Sequence, residues 1–153
     1  MSVASARLPR EAVAETLATY LDDADLDDQV MLLQLLGALG GKTALDVLAG
    51  KARSNNDALQ DEATRLLGAW ASSDVAETLH ALATELENTK YRTRALRGYV
   101  RVARQLEMDD TERIDVCRNA ILLADRGEEK ELALDVLRRH PTAEGLKLAV
   151  SLT

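Results

Sequence analysis

Few residues in this chain have the type and spacing that chemistry needs. Its two histidines, His80 and His140, each lack a second ligand three or four residues away, the spacing that sets two metal donors on one helix face. Each is read as a partly exposed residue on a helix face. Cys117, the single cysteine, sits among Ile114, Ile121 and Leu122 with no sequence neighbour able to activate it, and reads as a small buried hydrophobe. Asp23, Asp25 and Asp27 alternate like the start of a calcium loop. An EF-hand needs glycine sixth and glutamate twelfth, and those places hold Asp28 and Gln34, so the aspartates read as an acidic turn with helix caps. Glu128 and Glu129 stand at a helix start, where the helix dipole favours them without catalysis. There is no Gly-rich phosphate loop, no Gly-x-Ser-x-Gly elbow and no His-Glu-x-x-His pair. The expectation is a protein that is not an enzyme, with no catalytic, cofactor-binding or metal-binding residues.

One stretch stands apart by charge. Lys90 to Leu106 carries six basic residues and no acidic one, in a chain whose formal net charge is −7. At 100° per residue, Lys90, Arg94, Arg97, Arg101 and Arg104 fall within an arc of about 80°, opposite Leu96, Tyr99, Val102 and Ala103. Two uses compete for this stripe. It could be a ladder of ion pairs between successive helices, with Glu62 for Arg94, Glu128 for Lys90 and Asp135 for Arg97. Alternatively it is a docking site for an acidic segment, because arginine forks favour carboxylate and phosphate. Gln34 and Arg65 occupy matching places on earlier helices and join the five as candidate partner-binding residues.

The elements that must position these residues are helices. Of the 153 residues, 46% are apolar, aromatics are only 3% and Phe is absent. A core of Leu, Ala and Val without β-branched or aromatic runs points to an all-α fold. Pro9 in a first turn, with Val13, Leu17, Tyr20 and Leu21 following, predicts a helix near 9–21. Further helices are predicted near 26–39, ended by Gly40-Gly41, and near 42–53. A fourth opens from the Ser54–Asp57 breaker and runs to about 71, and a fifth, capped by Ser72-Ser73-Asp74, spans about 74–86. The basic stretch is the sixth, opened by Asn88-Thr89. The seventh spans about 110–125, capped by Asp109, Asp110 or Thr111. Gly127 breaks it before the eighth, 128–139, and Pro141 opens a ninth. Trp70 aligns with core positions Leu39 and Val102 and is read as packing.

Nine helices with short connections invite a search for internal repetition. Laying Leu32–Leu39, Ala63–Trp70, Ala95–Val102 and Ala133–His140 on one another brings Leu36, Leu67, Tyr99 and Leu137 into register. Gln34, Arg65, Arg97 and Asp135 coincide as well, at offsets of 31, 32 and 38 residues. The inner segments Glu62-Ala63-Thr64-Arg65-Leu66-Leu67-Gly68 and Arg94-Ala95-Leu96-Arg97-Gly98-Tyr99 resemble the small-apolar inner-helix signature of HEAT-like repeats, in the form seen in bacterial HEAT arrays. The third spacing is longer than that pattern, and Leu32-Leu33 replaces a small residue in the first copy. The tetratricopeptide landmarks are absent.

The resemblance implies a right-handed α-solenoid of antiparallel helix pairs: four repeats plus one terminal helix, in a single repeat domain over 1–153. The ninth helix, with Leu146, Leu148, Ala149, Val150 and Leu152, has little polar face, as expected of a piece of a longer multidomain protein. The function implied is non-catalytic protein–protein interaction or scaffolding, with a protein or acidic peptide as partner along the concave row of inner helices. A structural spacer within a larger protein is the alternative. The excess of 26 Asp and Glu over 19 Lys and Arg disfavours nucleic acid. No apolar run reaches the roughly 20 residues of a membrane span. Without a signal-peptide pattern the default compartment is the cytoplasm, or the exterior if the chain is a piece of an exported protein.

Overall fold

The structure, a computed structural model, describes residues 3–151, with side chains from residue 9 onward. The described residues are helical and contain no strand: α1 (Val3–Leu21), α2 (Leu26–Leu39), α3 (Lys42–Lys51), α4 (Asp57–Gly68), α5 (Ala76–Glu85), α6 (Thr89–Gln105), α7 (Asp110–Leu123), α8 (Gly127–Arg139) and α9 (Ala143–Ser151), with a 3₁₀ turn over Ser73–Val75 before α5. The all-α expectation holds. The chain divides into two compact units, 1–67 and 68–153.

Caps explain where most of these helices begin. Asp25, Asn56, Asn88 and Asp109 each turn a side-chain oxygen onto an amide of the following first turn, at 2.9, 3.2, 3.0 and 2.8 Å. Each satisfies a donor that the helix itself leaves open. The residues preceding α2, α4, α6 and α8 are Asp25, Asn56, Asn88 and Arg126, and their spacings of 31, 32 and 38 equal the offsets read from the sequence. Glutamine repeats the theme. Gln29 donates to the carbonyl of Leu21 and Gln60 to that of Ala52, each eight residues back, at 2.8 and 2.9 Å.

Several helix starts and ends differ from expectation. Pro9 lies inside α1, which begins at Val3; proline removes one amide donor, a local cost that upstream turns survive. The fourth helix stops at Gly68 and Ser73–Val75 forms a 3₁₀ turn before α5, while the Asp74 carboxylate accepts the Trp70 indole N–H, 3.1 Å away, rather than capping α5. Pro141 precedes α9 without opening it. Thr142 does that, its hydroxyl accepting the Gly145 amide at 2.9 Å. Of the predicted ninth-helix residues, Leu152 lies outside the described residues.

In the first unit α1, α2 and α3 pack on one another around Leu21, Leu33, Leu36 and Leu48, all at most 2% exposed. Burying each such leucine contributes about 1.5–3 kcal/mol. Glu11 of α1 reaches the start of α3, where Gly41 supplies no capping side chain. Its carboxylate accepts the Thr43 hydroxyl at 2.6 Å and the Thr43 amide at 3.3 Å, and these bonds, the hydroxyl first, hold its pKa below the usual carboxylate value.

The second unit packs α5 on α6, α6 on α7, and α7 on α8, with α6 also touching α8, α5 touching α7, and α9 resting on α7 and α8. Each helix thus meets its neighbour and the next but one. Leu79, Leu82, Tyr91, Val102, Cys117 and Val136 fill this core. Gly98 matters to the packing. A Cβ built there would stand 2.9 Å from the Gly68 Cα and 3.4 Å from Leu79 Cδ1, so only glycine admits this approach.

Candidate functional site

The basic stretch is α6. It buries Tyr91, Ala95, Leu96, Tyr99, Val102 and Ala103 and turns its charged residues away from that face, as helical periodicity requires. The stripe is less open than predicted. Lys90 and Arg97 are exposed, while Arg94, Arg101 and Arg104 are half-buried.

The arginines have uses within the fold. Arg97 Nε donates to Glu129 Oε1 at 3.0 Å, and its Nη2 reaches Glu128 Oε2 at 3.2 Å. Arg101 sets both terminal nitrogens on the Trp70 carbonyl, at 3.1 and 3.0 Å. Arg92, outside the predicted stripe, pairs with Asp125 at 3.0 Å. Lys90 and Arg94 lie over the Tyr91 ring, 5.1 and 5.5 Å from its centroid, within the range of a cation–π contact. Arg65, on α4, pairs with Glu62 one turn earlier, and Gln34 lies exposed on α2.

Of the three predicted partners, Glu128 meets the stripe at Arg97. Asp135 turns to Arg139 on its own helix at 2.8 Å. The sequence alignment assumed level helices, whereas Arg97 meets α8 six and seven residues earlier than Asp135. Glu62 pairs with Arg65, one turn on along α4.

Glu129 is the residue that sequence reasoning undervalued. Its side chain is 3% exposed, against 76% for Glu128 beside it. The signal was present: Glu129, Ala133, Val136 and Leu137 are spaced as one apolar face and all are buried. A carboxylate on such a face needs a charged partner, and Arg97 provides it. A cleft of about 20 Å³ lined by Thr89, Arg92, Thr93, Asp125 and Glu129 borders the pair, room for one water molecule.

Cys117 is fully buried, and burial pushes its thiol pKa up to about 11, the opposite of an activated nucleophile. His80 is half-buried and packs on Tyr99 with ring centroids 5.3 Å apart. The Tyr99 hydroxyl accepts from Asn119 at 3.2 Å, and its pKa is raised, chiefly by burial. Asp25 of the acidic turn caps α2. Among the described residues no group of three or more His, Cys, Asp or Glu side chains could hold a metal, and no helix is long and apolar enough to cross a membrane. No family model, curated protein or solved structure matches this chain.

Proposed function

We propose that the chain is a non-catalytic interaction and scaffolding module built from HEAT-like repeats stacked as an α-solenoid. The observation that carries the reading is the recurrence of long-range side-chain contacts a little over thirty residues apart, close to the spacing of the helix pairs. Glu11–Thr43, Arg101–Trp70, Arg97–Glu129 and Arg92–Asp125 are 32, 31, 32 and 33 residues apart. Such contacts are what a stack of self-similar helix pairs makes between neighbours. The partner is an acidic protein segment received along the basic side of α6, which carries Lys90, Arg94, Arg97, Arg101 and Arg104.

Trp70, the only tryptophan, reports on that surface because Arg101 holds its carbonyl. Titration with a polyglutamate peptide at low salt should shift Trp70 fluorescence and lose the effect in a Lys90→Ala, Arg94→Ala, Arg104→Ala triple variant. A silent titration, or a shift that the triple variant keeps, would end the docking reading. A specific observation favours the alternative of a structural spacer: Arg97 and Arg101 already hold neighbouring elements together.

A further inference from the structure

A groove of about 640 Å³ opens in the second unit between the start of α5 and the first half of α7, within the size range of ligand sites. Met108, half-buried, and Val116, 7% exposed, give it an apolar lining. Four carboxylates stand around that lining: Asp74 and Glu77 from one side, Glu112 and Asp115 from the other. None of the described residues lining the groove is basic. Glu77 and Glu112 each lie in the first turn of their helix, where the dipole favours a carboxylate. Their meeting around one apolar groove is a tertiary matter, and gathering like charge in this way works against compactness. Asp115 pairs with Arg118 at 2.8 Å, whereas Asp74 accepts from neutral donors, the Trp70 indole and the Ser72 hydroxyl. Arg118 and two helix ends of about half a positive charge each offset about half of the four negative charges.

We propose that this groove receives a basic segment of a partner protein, one that seats an apolar side chain on Met108 and Val116 between flanking lysines or arginines. Charge selects the sign of the occupant: the remaining negative charge attracts a basic segment and repels an acidic one. The apolar lining selects its form, because a bare cation would leave Met108 and Val116 uncovered, while an unbranched methionine adapts to an incoming aliphatic side chain. A metal ion is the poorer match. Among the described residues no group of three or more His, Cys, Asp or Glu could hold one, so the carboxylates ring a space instead of converging on a point. The inference does not rest on the docking of an acidic segment at α6, which asks for the opposite charge.

Titration of the whole chain with the peptide acetyl-Arg-Arg-Leu-Arg-Arg-amide tests the proposal. Trp70 fluorescence reads it, because Asp74 holds the indole, and isothermal calorimetry gives a second readout. The wild type should bind with a dissociation constant below about 1 mM. Glycine in place of the peptide's leucine should weaken binding by at least about tenfold, since the burial of that side chain is lost, and Met108→Gln should act in the same direction. Glu77→Gln with Glu112→Gln should weaken binding about three- to tenfold. The charge-matched Asp27→Asn with Asp28→Asn, in the first unit, should leave it unchanged, and circular dichroism verifies the helix content of each variant. A silent titration, equal binding of the leucine and glycine peptides, or equal losses in the two double variants would overturn the proposal; the last two would mark a general attraction to a chain of net charge −7. A peptide that acts by dissociating a dimer of this chain, seen by sedimentation velocity, would assign the groove to a second copy and overturn it as well.

Discussion

Gly98→Ala is the substitution whose outcome the packing of α6 fixes most sharply. On an open helix, alanine in place of glycine gains up to about 1 kcal/mol in propensity. At Gly98 the new methyl would meet the Gly68 Cα at 2.9 Å and Leu79 Cδ1 at 3.4 Å. The first of these is backbone and cannot rotate away, and overpacking of this kind costs about 1–3 kcal/mol. Gly127→Ala, at the start of α8 in the same unit, is the control, because nothing stands within 4 Å of a Cβ there. Urea unfolding followed by the fluorescence of Trp70, which is 5% exposed, reads the unit that contains both sites. With a slope of about 2 kcal/mol/M, Gly98→Ala should unfold about 0.5–1.5 M below Gly127→Ala. Coincident midpoints would refute the close approach of α6 to Gly68.

Two further outcomes follow from the ion pairs and caps. Glu129→Ala should destabilise the second unit by about 1–3 kcal/mol, since it removes the charge-assisted hydrogen bond from Arg97 to a buried carboxylate, whereas Glu128→Ala, at an exposed pair, should cost less than about 0.5 kcal/mol. Equal effects on the Trp70 midpoint would contradict the assignment of Glu129 as the anchoring carboxylate. The Glu11 carboxylate has a folded pKa below its ordinary 4.5, so its contribution is complete above about pH 4.5 and fades as pH falls through the folded value. The stability gap between wild type and Glu11→Gln, measured by circular dichroism in urea, should therefore narrow in acid; a gap that stays constant down to about pH 3 would show that charge is not the cause.

Much of this was legible in the residues. The helix number and the offsets of 31, 32 and 38 came from apolar spacing and breakers, and the caps at Asp25, Asn56 and Asn88 fall at those same intervals because one side-chain type solves the same local problem each time. Trp70 and Cys117 were read as core and are buried. What sequence could not supply was the stagger between helices. Pairing Arg97 with Asp135 required the copies to lie level, and it is the six-residue slip toward Glu129 that decides which carboxylate is reached. Competition was equally hidden: Asp74 could cap α5 or accept the Trp70 indole, and it takes the indole.

The separation of about 31–33 residues within the pairs Glu11–Thr43, Trp70–Arg101, Arg92–Asp125 and Arg97–Glu129 bears on how the chain reaches this fold. Loop-closure entropy grows with the length of chain to be closed, and folding rates fall as contacts become more distant in sequence. Here a helix pair needs only its neighbour to complete its bonds. Arg97 can find Glu129, and Glu11 can find Thr43, with no wait for the far end of the chain. Such local closure lets ordering start at more than one place and spread from each, and it leaves few distant apolar surfaces exposed together along the way.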